Sequence, residues 1–127
     1  MSNILYEPSS VRGDCGILYI TENEPCNIPF LFEIGSIDNE NKSQYYKIAD
    51  EDIVEFIIKS DIKLITPVIH KKYNNVKNNV AVLTLNDSDI KLLCGGKTYV
   101  MSAILHSHTF TRKTLIKQLQ IKVQEVV

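Results

Sequence analysis

The chain has 127 residues, enough for one domain with a core of its own. Hydrophobic residues make up 44% and charged residues 23%, proportions of a folded domain that exclude wholesale disorder. A formal charge of −1, from 14 basic and 15 acidic side chains, argues against the broad basic field of a nucleic-acid surface, and no apolar run approaches the roughly 20 residues that span a bilayer.

Residues 1–14 read as a flexible N-terminal arm, because Pro8, Ser9, Ser10 and Gly13 interrupt any periodicity. The opening "MSNILYEPSS" has no basic stretch followed by an apolar one, so a product made and used without secretion is expected. "CGILYIT", Cys15 to Thr21, predicts a first strand, and "TENEP" a turn. Ile28, Phe30, Phe32 and Ile34 then alternate with other residues, and Pro29 puts this strand on an edge or marks its start. "GSIDNENKSQ" is a polar surface loop, and "YYKI", Tyr45 to Ile48, a small edge strand.

In "DEDIVEFIIKS" the β-branched residues and Phe56 favour a strand with Val54, Phe56 and Ile58 inward and Glu55, Ile57 and Lys59 outward. "LITPVIHKK" continues the pattern after a turn, with Pro67 again suggesting an edge. "YNNVKNN" is a turn segment whose asparagines tolerate left-handed backbone. Ala81, Leu83 and Leu85 line one face of the next strand. Asn86 and Asp87 are placed to cap a helical turn over Ser88 to Leu93, and Gly95 and Gly96 to end it. Tyr99, Met101, Ala103 and Leu105 line a further strand. In the closing strand Leu119, Ile121 and Val123 alternate with polar residues. No helix longer than about two turns is supported. The pattern predicts an all-β fold: one antiparallel sandwich domain over residues 15–127, of about seven to eight strands.

Candidate chemistry is sparse. Cys15, Cys26 and Cys94 are odd in number and form no CxxC pair, so three free thiols are expected. His106 and His108 form an HxH pair whose imidazoles would project to one side of an extended segment, where a threefold assembly would gather them around a metal ion. The simpler reading is a polar hairpin tip, and neither a metal nor a cofactor is expected. His70, beside Lys71 and Lys72, reads as a solvated side chain. Asp50, Glu51 and Asp52 lack EF-hand spacing and read as a surface turn. Lys71, Lys72 and Lys77 near Tyr73 are too few for a nucleic-acid site. No nucleophile elbow or phosphate-binding glycine loop is present, and no enzyme is expected.

Asp89, Gly95, Gly96 and Tyr99 stand at the places of a tyrosine corner, in which a tyrosine early in a late strand bonds back to the preceding backbone. Met101 occupies the position that antibody domains give to a cysteine, and the chain has no tryptophan. The succession "DIVEFIIKS", "PVIHKK", "VAVLTLNDSDIKLLCGGKTYVMSAILH" and "TLIKQLQIKV" resembles the immunoglobulin-like N-terminal domain of phage baseplate and tail proteins, over residues 45 to 124. That pattern has an "xxIxK" strand, an "LTxxDTxxLxxGxYxYxI" segment and a closing "TLxxGxFxV" strand. The chain departs from it at Ile90, where a threonine is usual, and at Lys117-Gln118, where a glycine is usual.

The resemblance implies an immunoglobulin-like sandwich and a structural part of a phage tail, baseplate or tail-like particle, assembled in the bacterial host cytoplasm. Its implied partners are other tail, baseplate or fibre subunits, with several copies together in the assembly and neither nucleic acid nor membrane as a ligand. The other class of function is a freestanding module that binds carbohydrate or another ligand, for which Tyr45 and Tyr46 are the one adjacent aromatic pair.

Overall fold

A computed structural model describes residues 16–37, 43–61 and 63–126. The arm predicted over residues 1–14, and Cys15, lie outside the described residues. Nine strands and one helical turn are present among the described residues: β1 (Ile17–Thr21), β2 (Cys26–Leu31), β3 (Gly35–Ile37), β4 (Ser43–Tyr45), β5 (Ile53–Lys59), β6 (Ile69–Tyr73), β7 (Val80–Leu85), α1 (Asp87–Ile90), β8 (Thr98–His106) and β9 (Lys113–Gln124). The protein is all-β.

A five-stranded sheet has the order β1-β9-β8-β5-β6, while β2 pairs with β7 and β3 with β4. The prediction of wholly antiparallel pairing is corrected at one place: β1 runs parallel to β9, with Ile17 opposite Gln120 and Thr21 opposite Gln124. The large sheet is therefore mixed. The period of two tells which side chains face inward, and parallel and antiparallel neighbours satisfy it equally.

The β2–β7 pair lies against the inner face of the large sheet. Phe30 of β2 meets Phe56 of β5 with ring centroids 5.4 Å apart, and Phe32 reaches the same ring at 6.4 Å. Val54, Phe56 and Ile58 are fully buried, as are Leu83 of β7, Met101 and Leu105 of β8, and Ile121 of β9. These inward sets are those that the alternation predicts. In β9 two register shifts against β8 place Ile116 opposite Ala103 and Leu119 opposite Met101. Extra residues in one strand let inward positions stand three apart there, where strict alternation would turn one of them out.

Several boundaries move. Phe32 and Ile34 are buried but follow the end of β2, whose single partner leaves Pro29 on an edge strand. "YYKI" is not a strand beyond Tyr45: the Tyr46 N–H bonds the Ile34 carbonyl, and the Ile48 N–H is taken by the Asn79 side chain. "LITPV" is a turn, with Ile65 almost wholly exposed, and β6 starts only at Ile69. Asn75, Asn78 and Asn79 adopt left-handed backbone with φ of 52°, 54° and 57°. The helical turn ends at Lys91, before the predicted Leu93. Gly95 and Gly96 instead belong to the next turn, where the Lys97 N–H bonds the Cys94 carbonyl. Gly96 has φ +82°, and a side chain at Gly95 would run into the Glu22 carboxylate.

Candidate functional site

Asp89, Gly95, Gly96 and Tyr99 lie in or beside the connection from β7 to β8. Asn86 caps α1 in a capping box: its side chain accepts from the Asp89 N–H at 3.0 Å, and the Asp89 carboxylate accepts from the Asn86 N–H at 3.0 Å. Asp89 also pairs with Lys71 of β6 at 2.7 Å. Burial alone would raise its carboxyl, but Lys71 and the Asn86 N–H together hold it below its ordinary value. Ile90 and Leu93 turn into the core. Tyr99, 4% exposed, sits at the start of β8 and its hydroxyl accepts the Cys94 N–H at 2.8 Å. Burial pushes the Tyr99 phenol up, against the pull of that N–H. Asp89 and Tyr99 thus tie down the two ends of the connection between β7 and β8.

The acidic turn is not a surface feature throughout. Asp52 is only 2% exposed, and accepts the Ala49 N–H at 3.0 Å and the Tyr46 hydroxyl proton. Burial, and then the Asp52 carboxylate, push the Tyr46 phenol up. Tyr46 also meets Phe110 edge-on at 4.9 Å. The basic group around Tyr73 is dispersed: Lys71 serves Asp89, Lys77 pairs with Asp50, and the Tyr73 hydroxyl accepts the Thr84 N–H.

The histidines part company. His106, at the end of β8, lies with Nε2 2.8 Å from Glu55 Oε1, while His108 is exposed in the following turn. His70 is not simply solvated: its Nε2 bonds the other oxygen of Glu55. Register explains the grouping. On the outward face His70 stands opposite Ile57 and His106 opposite Ile53, so both are diagonal neighbours of Glu55, within reach of long side chains. Burial raises the Glu55 carboxyl, but hydrogen bonds from His106 and His70, and their charge, more than offset it and hold it below its ordinary value. Each carboxylate oxygen serves one imidazole, which is a hydrogen-bonded arrangement. Among the described residues no group of three His, Cys, Asp or Glu side chains is arranged to hold a metal ion.

This cluster lies on the outer face of the five-stranded sheet. The register sets Tyr19, Lys122 and Thr98 in one row. Ile17, Gln120, Val100 and Lys59 form the next. Ser102, Ile57 and His70 follow, and then Ile104, Glu55 and Lys72. On this face Ile17, Tyr19 and Ile53 are 42%, 56% and 36% exposed, whereas Ile104 is buried. No local signal marks it in the sequence, because the face is assembled from five strands separated along the chain.

Two open grooves lie elsewhere. One, of about 510 Å³, runs between β1 and β2 over Leu18, Ile20, Cys26 and Ile28, and there burial, and then Glu24, push the Cys26 thiol up. The other, of about 460 Å³, is lined by Phe32, Tyr46 and Asn79. Asn79 is fully engaged there, donating to the Phe32 and Tyr46 carbonyls and accepting from Ile48. Cys26 and Cys94 are free thiols. No protein-family model matches the chain, and no curated protein matches it.

Proposed function

We propose that the chain is an immunoglobulin-like β-sandwich that docks other proteins, as a structural part of a phage tail, baseplate or tail-like particle, and that it catalyses no reaction. The observation that carries the docking reading is on the outer face of the five-stranded sheet, where Ile17 and Tyr19 of β1 project to the same side and are 42% and 56% exposed. Uncovered apolar side chains grouped on one face mark interaction surfaces. The immunoglobulin-like reading is supported by the two opposed pairings, β2–β7 and β1-β9-β8-β5-β6, and by the Tyr99 bond to the Cys94 N–H. The phage reading rests on the succession of strand patterns from Tyr45 to Gln124.

The free edges of the five-stranded sheet are β1 and β6. The closing strand β9 is interior, held between β1 and β8, so it offers no free edge, and β4 is only three residues long. Docking is assigned to the sheet face at β1, where Ile17 and Tyr19 are exposed. The carbohydrate-binding alternative has exposed Tyr19 in its favour, but Tyr46 is held by Asp52 and Phe110 and offers no free platform. Mass spectrometry of tail-like particles purified from the source of the sequence should find the chain as a stoichiometric component. Complete particles that lack it would end the structural reading.

A further inference from the structure

We propose that the outer face of the five-stranded sheet receives an acidic segment of a partner protein, one whose carboxylates alternate with apolar side chains; this rests on the docking reading above. The chain as a whole is nearly neutral, with a formal charge of −1, but this face is not. Lys59 of β5, Lys72 of β6 and Lys122 of β9 all point outward from it, at positions fixed by the register. None of the three takes part in an ion pair among the described residues. Glu55 is the one acid among the outward positions of the five strands, and both its oxygens are held by His70 and His106. The face therefore shows cations to a partner while its own carboxylate is turned to its neighbours.

Exposed Ile17 and Tyr19 lie at the β1 edge of the face, with Tyr19 the register partner of Lys122, which fits a segment of mixed apolar and acidic character. Opposite potentials across such a contact favour encounter and fix the partner. A second copy seated face to face would bring lysines against lysines, so symmetric self-association is disfavoured. Three separated lysines are also too sparse for the dense phosphate contacts of a nucleic acid.

The probe is a short synthetic peptide in which leucine alternates with glutamate, with its leucine–glutamine counterpart as control. Binding is followed by amide chemical shifts of the whole chain. The expected result is perturbation centred on Ile17, Tyr19, Val100 and Lys122, with affinity falling about tenfold or more for the glutamine peptide and for the double variant Lys59→Glu/Lys122→Glu. Both lysines are partly exposed, and circular dichroism confirms that the variant is folded. Shifts that map elsewhere, no binding, equal affinity for the two peptides, or tighter binding to single-stranded DNA or to phosphatidylserine vesicles would each overturn the inference. Particle composition answers a separate question, so the phage reading and the acidic-partner inference fail independently.

Discussion

At Tyr99 one hydroxyl holds the turn that joins β7 to β8. Tyr99→Phe keeps the ring in the core and leaves the Cys94 N–H without its partner. The expected loss is roughly 0.5–1.5 kcal/mol, read as a lower midpoint in urea unfolding with an unchanged slope. Glu55 makes a pH-dependent contribution whose sign follows from its lowered carboxyl. The unfolded chain holds that proton more tightly than the folded one, so the contribution is complete above the ordinary value of 4.5 and is lost as pH falls through the lower folded value. The stability difference between wild type and Glu55→Gln should therefore shrink on acidification below that point. A difference that grows on acidification would contradict the His70–Glu55–His106 grouping. The Tyr99 bond joins residues only five apart, so its partners stand together in the sequence. The histidine grouping was not, since His70 is 15 residues from Glu55 and His106 is 51, and only strand register brings them together.

Among the elements, α1 has one turn, so its capping carries an unusual share of its stability. Asn86→Ala removes the acceptor of the Asp89 N–H and should cost about 1 kcal/mol, measurable as a lower thermal midpoint. Strands β5, β7 and β8 were readable because each buries one face, and alternation records that directly. β6 was misplaced toward Leu64 because a run such as "LITPV" has strand-like residue types whether or not it is covered, and Ile65 is 92% exposed. The Lys117-Gln118 departure from the phage pattern falls where β9 carries its register shifts, a feature of pairing that residue types alone do not announce.

Across the whole molecule, the element with the widest consequence is the parallel pairing of β1 with β9, which joins segments close to the two ends of the described chain. Beyond the ladder, the Glu22 N–H bonds the Gln124 carbonyl at 2.9 Å and the Gln120 N–H bonds the Gly16 carbonyl at 3.2 Å. Because the strands run the same way, tension entering before Ile17 and leaving after Gln124 slides one strand along the other. All the hydrogen bonds of the ladder then carry load together, and no bond can fail ahead of the rest. Tension applied instead at Thr21 and Gln124, which are register partners at the same end, peels the strands apart one bond at a time. Single-molecule pulling should give a higher rupture force in the first geometry than in the second, and equal forces would mean that this ladder does not bear the load. A domain joined to its neighbours before Ile17 and after Gln124 would thus act as a mechanical clamp against stretch along that direction.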